Sequence, residues 1–214
     1  DAWIEVSSRL LEYDKIIDIS DVATLKRIDV QDGILSVGAC TTLSRLLSFF
    51  SAGACRSEAM VNLLKRFGSK QIRNRATIGG NLCSASPIGD LIPALLVLEA
   101  TAVLTRANGS RILDLEEFIE GYRKTALAKD EYLSKISLSI PESWSSFAFR
   151  KLSKRYEDDI SSVSIAVFLL HDNVRINEIR IALGGAGDRA LRLFEVEKII
   201  PVSYTHLRAH ETSP

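Results

Sequence analysis

Apolar residues recur with a helical period in three stretches of the chain. Three leucines fall on one face of residues 42–50, and the Thr42 side chain can cap that helix. Residues 57–67 repeat the same spacing. A third helix is predicted after Asp90, with Pro93 in its first turn, where a missing N–H costs little.

Alternation of apolar and polar residues predicts strands elsewhere. Residues 27–31 and 34–37 are joined by Asp32-Gly33, and residues 101–107 and 111–113 flank Asn108-Gly109; both dipeptides are typical of tight hairpin turns. Further predicted elements are a helix at residues 1–12, strands at 16–19, 132–140, 146–152, 163–170 and 174–183, and a short helix at 115–121. Antiparallel hairpins outnumber βαβ units, so the predicted fold class is α+β.

Bulk composition narrows the class of protein. The 214 residues are 46% hydrophobic and 25% charged, which is enough for one sizeable core or two small ones. The net charge of zero argues against a nucleic-acid partner, since phosphate contacts need a basic excess. No apolar run reaches the roughly 18 residues of a membrane span, and no secretory signal is present. The sequence therefore predicts neither a nucleic-acid nor a membrane partner.

The cysteines and histidines predict neither a disulfide framework nor a metal site. Cys40, Cys55 and Cys83 are widely spaced and odd in number, and an iron–sulfur cluster usually needs four thiolates. We interpret them as reduced, with Cys83 as a small buried residue rather than a redox thiol, and the compartment as cytoplasmic. His206 and His210 have helical i, i+4 spacing but lack the glutamate that zinc hydrolases place beside the first histidine.

Residues 68–89 lack periodicity and are rich in Gly, Ser and Asn. An irregular segment of this length more often has a function than serves only as a connection. Gly79 and Gly80 can take positive φ, and consecutive N–H groups in such a turn form a concave anion site. Short polar side chains add donors at the same rim. The segment predicts a pyrophosphate cradle, although it lacks the Rossmann and P-loop glycine patterns. The alternative is a tight surface turn with solvated hydroxyls.

The whole string around these glycines resembles a known motif. Arg-Asn-Arg-Ala-Thr-Ile-Gly-Gly-Asn-Leu at residues 73–82, followed by Ala-Ser-Pro-Ile-Gly-Asp-Leu-Ile-Pro at 85–93, is similar to the second flavin-binding segment of the FAD domain of molybdenum hydroxylases. Residues 34–43 and 183–189 resemble other stretches of that family. Residues 120–125 and 149–160 resemble its xanthine dehydrogenase branch. The resemblance covers roughly residues 1–199.

The resemblance implies a set of cofactor contacts. The second FAD loop would comprise Thr77, Gly79, Gly80, Asn81 and Ser84, and Asp1 looks like the last residue of the first loop. The remaining implied contacts, each with its alternative interpretation, are Asp90 (a helix N-cap), Phe67 (a buried helix residue), Leu133 (a core strand residue) and Lys151 (a solvated charge). The lysine would lie at the pyrimidine edge of the flavin and raise its potential.

The resemblance also implies a second set of residues, which would govern access of NAD to the flavin. Tyr122 looks like a residue at the nicotinamide-nucleotide entry, and Arg155, Glu157 and Asp158 fall in a loop that borders the flavin in the family. Without the resemblance, that charged loop is a solvated turn. The implied mechanism passes electrons from a hydroxylated purine at a molybdopterin centre, through 2Fe-2S clusters on partner domains or subunits, to FAD and then to NAD⁺. No side chain of this chain is predicted to be an acid, base or nucleophile.

The resemblance also divides the chain. Residues 1–141 would be an FAD-binding domain whose N-terminal part is missing, residues 142–200 a truncated C-terminal flavoprotein domain, and residues 201–214 a non-native tail. Two other functions stay open. One is the FAD subunit of a sibling enzyme that oxidises carbon monoxide, an aldehyde or an N-heterocycle, and the other is an assembly module that has lost flavin.

Overall fold

A five-stranded antiparallel sheet forms the centre of the first half of the molecule. The computed structural model describes residue 10 and residues 12–141, 146–156, 159–171 and 176–200. Strand order in the sheet is β1-β2-β7-β3-β4, and β5 and β6 form a separate two-stranded hairpin. The strands are β1 (Ile28–Gln31), β2 (Ile34–Gly38), β3 (Thr101–Arg106), β4 (Gly109–Asp114), β5 (Ile119–Gly121), β6 (Lys124–Thr125) and β7 (Tyr132–Ser139).

Both predicted hairpins are present. Asp32 and Gly33 have φ of 51° and 75°, the left-handed values that a two-residue turn between antiparallel strands requires. In the second hairpin Arg106 pairs with Gly109, so the turn begins one residue earlier than the sequence predicts. Buried residues alternate with less buried ones at Leu35 and Val37 on β2 and at Ile136 and Leu138 on β7, whereas a register shift opposite β3 interrupts the alternation near Leu133.

Helices cover one face of this sheet, and those that begin after Thr42, Ser57 and Asp90 begin where the sequence predicts them. The hydroxyls of Thr42, Ser57 and Ser69 accept hydrogen bonds from backbone N–H groups in the first turns of three helices. A 3₁₀ helix spans Ala23–Lys26. The α-helices are α1 (Leu43–Ser51), α2 (Glu58–Lys65), α3 (Lys70–Arg75), α4 (Ile78–Cys83), α5 (Leu91–Val97), α6 (Leu115–Phe118) and α7 (Phe194–Ile199).

A four-stranded antiparallel sheet follows in the second half, with strand order β11-β10-β9-β8. Every residue of α5 is buried, and this helix packs against β9 and β10 as well as against α4. One continuous apolar cluster therefore includes residues from both sheets, from Leu35 on β2 to Phe168 on β9. The α+β class is confirmed. The strands are β8 (Phe147–Leu152), β9 (Val163–His171), β10 (Ile176–Gly184) and β11 (Leu191–Arg192).

Three predicted elements are wrong. Residues 16–19 form no strand; Ile16 and Ile17 are exposed and have no sheet partner within the described residues. The irregular segment 68–89 contains two short helices, because Ser69 and Thr77 each supply a cap. The helix at 115–121 ends at Phe118 and continues as strand β5. The predicted helix at residues 1–12 falls mostly outside the described residues.

In the described part of the chain, no helix is both long enough and apolar enough to span a bilayer.

Candidate functional site

The glycine pair lies at the start of a helix rather than in a turn. Thr77 has extended backbone angles and its hydroxyl accepts the Gly80 N–H at 3.0 Å, so α4 begins with the glycines already helical. Neither glycine has a positive φ. The amides of Ile78, Gly79 and Asn81 donate to the carbonyls of Thr41, Ala39 and Thr77. The prediction of bare amides across this segment is therefore wrong, because the surrounding protein already satisfies them.

The two glycines serve different purposes. A Cβ at Gly79 would lie 2.6 Å from the Cβ and 2.7 Å from the carbonyl oxygen of Ala39, so only glycine lets α4 pack this close to the end of β2. Gly80 is exposed, and a Cβ there would meet only the Thr77 hydroxyl, at 3.1 Å. Gly79 is thus a packing residue, whereas Gly80 leaves the surface open by having no side chain, although its N–H and C=O groups are paired with Thr77 and Ser84.

Polar side chains surround this open surface. The Asn81 Oδ1 atom is buried and has no hydrogen-bond partner among the described residues, an arrangement that is costly unless a ligand or water supplies a donor. Ser84 Oγ donates to the Asn81 carbonyl at 2.7 Å and stays free to accept. The Thr77 hydroxyl accepts from Gly80, which leaves its own proton for another acceptor. Cys83, which precedes Ser84, is a thiol rather than a thiolate at neutral pH, because burial raises its pKa to about 11.

Asp90 and Lys151 form a buried ion pair that joins the start of α5 to strand β8. Lys151 Nζ lies 2.7 Å from Asp90 Oδ2, and the two side chains are only 4% and 7% exposed. The hydroxyl of Ser161 donates to the other carboxylate oxygen of Asp90. Asp90 stands at the N-terminus of α5 but makes no capping hydrogen bond. The interpretations of Asp90 as a helix cap and of Lys151 as a solvated charge are both wrong.

Arg66 reinforces this joint from the end of α2. Its Nη1 donates to the Lys151 carbonyl at 2.9 Å, while Lys151 Nζ donates back to the Arg66 carbonyl at 3.2 Å. Its guanidinium also stacks 4.8 Å from the centre of the Tyr156 ring and donates to Ser153. Sequence reasoning missed both Arg66 and Ser161, because neither stands in a motif and their partners are distant along the chain.

Phe67 and Leu133 differ in their access to a ligand. Phe67 is half-buried and packs against the edge of the core directly after Arg66. Arg73 Nη1 donates to the carbonyls of Lys65, Phe67 and Gly68 and so fixes the turn that carries the ring. Leu133 is 4% exposed and lies within the core cluster, so packing is its role in this structure.

The residues predicted to control NAD access lie on two exposed turns. Tyr122 is 62% exposed in the β5–β6 turn, and the Arg123 N–H next to it donates to the Ala85 carbonyl, just past α4. Arg155 is exposed, and its backbone N–H donates to Asp159, which lowers the pKa of that carboxyl. The structure therefore brings Tyr122 close to the glycine segment. Asp1, Glu157 and Asp158 lie outside the described residues.

Two family models match most of the chain. The FAD binding domain in molybdopterin dehydrogenase matches residues 1–142, and the CO dehydrogenase flavoprotein C-terminal domain matches residues 148–201.

Individual proteins of several activities are similar to the chain. The FAD-subunit of nicotinate dehydrogenase from Eubacterium barkeri is 35% identical over 167 residues, covering 76% of this chain and 56% of the relative. Xanthine dehydrogenase 1 from Arabidopsis thaliana is 32% identical over 212 residues, covering 92% of this chain but 15% of the relative. The crystal structure of the Cu,Mo-CO dehydrogenase shares the fold at a TM-score of 0.84 and 24% identity, over 94% of this chain and 70% of that one. The chain thus spans only part of each.

Proposed function

The chain belongs to the family of FAD-binding flavoprotein components of molybdopterin dehydrogenases, and from that premise we propose that it binds FAD and passes electrons through the flavin to NAD⁺. Bound flavin supplies the electron and hydride chemistry itself. The chain's own residues then need only bind the cofactor, orient it and set the charge around it. For that reason the proposal includes no acid, base or nucleophile.

The observation that carries the proposal is the unpartnered Asn81 Oδ1 beside the open surface at Gly80. A dinucleotide cofactor offers hydroxyl donors for that oxygen and phosphate acceptors for the free Thr77 proton, while Ser84 can accept a hydrogen bond. The residues present thus fit the cofactor through their side chains, and Gly80 leaves room for it because it has no side chain. Gly79 supports the site from behind by letting α4 approach Ala39.

The flavin ring would lie toward Phe67 and the buried pair of Asp90 and Lys151. Phe67 is half-buried and available for contact with an aromatic ring. Lys151 has three donors, of which Asp90 and the Arg66 carbonyl take two, so one is left for a cofactor oxygen. Asp90 acts through Lys151, because both of its oxygens are occupied. Leu133 would support the cofactor site from within the core, and Asp1 would contribute a contact from the first FAD loop.

We propose that NAD⁺ enters beside Tyr122 and the loop of Arg155, Glu157 and Asp158. The support is the hydrogen bond from Arg123 to Ala85, which holds the Tyr122 turn against the segment that follows α4. The exposed Tyr122 ring offers a stacking surface, and Arg155 offers a cation for a phosphate group. We also propose that the enzyme oxidises purines in the cytoplasm. We further propose that the chain divides into two domains near residue 141.

The partners and the reducing substrate are also proposals. Iron–sulfur and molybdopterin centres on partner domains or subunits would deliver the electrons. We propose a xanthine dehydrogenase-like enzyme; an N-heterocycle dehydrogenase is the alternative that the nicotinate relative favours. Steady-state assay of the complete enzyme with xanthine or nicotinate, and NAD⁺ as acceptor, distinguishes them.

Replacement of Gly80 tests the cofactor site. In the complete enzyme, Gly80→Leu is expected to weaken FAD retention by about tenfold or more, a free-energy change of about 1.4 kcal/mol. The reason is that the new side chain occupies the surface where the cofactor approaches the backbone. The flavin absorption of the purified protein measures retention. Gly187→Leu is the matched control, because Gly187 is exposed and a Cβ there meets nothing closer than 3.4 Å.

A second variant separates binding from folding. Asn81→Leu removes an oxygen that has no partner among the described residues, so folding should be preserved while FAD retention falls. Full retention of FAD by both variants would rule out this site. A wild-type enzyme that carries no flavin would instead identify the chain as an assembly module.

A further inference from the structure

Arg66 links the two residues that are proposed to face the flavin ring. Its backbone continues directly into Phe67, and its carbonyl accepts a hydrogen bond from Lys151 Nζ at 3.2 Å. Its Nη1 donates back to the Lys151 carbonyl at 2.9 Å, and its Nη2 donates to Ser153 Oγ at 3.1 Å. These three hydrogen bonds hold the end of α2 against the end of β8, where Phe67 and Lys151 lie.

The positive charges of Arg66 and Lys151 differ in what neutralises them. Lys151 Nζ lies 2.7 Å from the Asp90 carboxylate, so that buried pair has no net charge. Arg66 forms no ion pair with any residue that the structure describes, and its side-chain hydrogen bonds go to a carbonyl and a hydroxyl. The three side chains together therefore keep one positive charge, which is that of Arg66.

Solvent has limited access to this charge. The Nε atom of Arg66 is buried and has no hydrogen-bond partner among the described residues. The ring of Tyr156 covers the guanidinium, with its centre 4.8 Å from Cζ. Protein atoms in place of water lower the local dielectric constant, so this charge acts more strongly on its surroundings than an exposed one does.

We propose that Arg66 raises the reduction potential of the bound flavin, because it supplies the net positive charge beside Phe67 and Lys151. The inference rests on the proposed FAD function, which places a flavin there. A flavin gains negative charge on reduction, so a nearby cation stabilises the reduced form more than the oxidised form. Lys151 has a smaller net effect than its own charge would give, because Asp90 offsets that charge. Arg66 also acts as a positioning residue, since its hydrogen bonds fix Lys151.

Replacement of Arg66 in the complete, FAD-loaded enzyme tests this role. Arg66→Met removes the charge and keeps a long side chain. At a fixed applied potential the ratio of reduced to oxidised flavin should fall about tenfold or more, which is a shift of about 30 mV to lower potential for a two-electron couple. Arg66→Lys keeps the cation and should stay within about threefold of the wild type, or about 15 mV. A spectroelectrochemical titration of the flavin absorption, corrected for iron–sulfur absorption, measures both.

Arg150→Met is the matched control. Arg150 directly precedes Lys151 on β8, but successive strand residues face opposite sides of a sheet, and Arg150 is exposed. Water screens its charge, so the same loss of one cation should change the flavin ratio by less than about threefold.

Two results would overturn the role of Arg66. One is a change below about threefold for Arg66→Met, and the other is an equal change for Arg66→Met and Arg66→Lys. If Arg66→Met retains no FAD, Arg66→Gln takes its place, because it keeps a donor for the Lys151 carbonyl without the charge, and the same fall of about tenfold is expected. The FAD content of the wild type is measured first. A wild type without flavin would overturn the FAD function and this role together, whereas bound flavin with an unchanged potential in the variants would overturn the role of Arg66 alone.

Discussion

Two ion pairs with nearly the same length hold different parts of this molecule. Lys151 and Asp90 lie 2.7 Å apart between strand β8 and the start of α5, and Arg111 and Glu131 lie 2.8 Å apart at the edge of the first sheet. Both side chains of the first pair are buried, at 4% and 7% exposed, whereas the second pair joins a 3% exposed Glu131 to an Arg111 that is 45% exposed. Distance alone therefore says little about stability, because the solvent around a pair decides what its loss would cost.

The partners of each pair also differ. Ser161 donates to Asp90 and the Arg66 carbonyl accepts from Lys151, so each buried charge has a hydrogen-bond partner besides the other charge. Arg111 makes a two-pronged contact, with Nε at 2.8 Å from one Glu131 oxygen and Nη2 at 2.9 Å from the other. The first pair connects distant segments of the chain, while the second ties β4 to the start of β7.

Breaking the buried pair should have the largest effect. Lys151→Met leaves the Asp90 carboxylate buried without its cation, so the free energy of unfolding should fall by about 3–5 kcal/mol. Urea unfolding followed by circular dichroism measures this. The double variant Asp90→Asn with Lys151→Met should lose less than the single variant, because no uncompensated charge is left. A loss below about 1 kcal/mol for Lys151→Met would mean that the pair behaves like one at the surface.

Removing the hydroxyl that supports the buried pair should have a smaller effect. Ser161→Ala leaves one Asp90 oxygen without a donor, so unfolding free energy should fall by about 1–3 kcal/mol. Ser162→Ala is the matched control, because Ser162 is next to Ser161 but its side chain is exposed. Its free energy of unfolding is expected to change by no more than about 0.5 kcal/mol. Equal effects of the two substitutions would contradict the role of Ser161.

Local patterns explain which elements the sequence predicted. The Asp32-Gly33 turn and the Thr42 cap act between near neighbours, so the residues that cause them are visible in the sequence. The glycine pair misled the prediction because a turn and a helix both accept glycine. The contact that decides between them is the approach of Gly79 to Ala39, which arises only when distant segments pack.

The candidate site was predictable only in part. The family resemblance drew attention to Asp90 and Lys151 as residues near a cofactor, but not to their pairing across 61 residues of sequence. Arg66 lies 85 residues from Lys151, and its reciprocal hydrogen bonds with that residue leave no trace in periodicity or spacing. Lys151, which sequence alone suggests is solvated, is buried against Asp90, and burial depends on the whole fold.

The Arg111–Glu131 pair, which reaches solvent through its arginine, should respond to acid, and this is the smallest expected effect. Hydrogen bonds from Arg111 and then from the Ala128 N–H lower the pKa of Glu131 from its ordinary 4.5 to about 2. Because the folded-state pKa is depressed, the stabilisation by this carboxylate is present above pH 4.5 and is lost as the pH falls through 2. The difference in urea midpoint between wild type and Glu131→Gln should therefore shrink between those two values. Salt at about 1 M should reduce the same difference at neutral pH, since exposed charges are screened. A difference that stayed constant over this pH range would show that Glu131 acts through packing rather than charge, and the contrast between the two pairs would then lose its electrostatic basis.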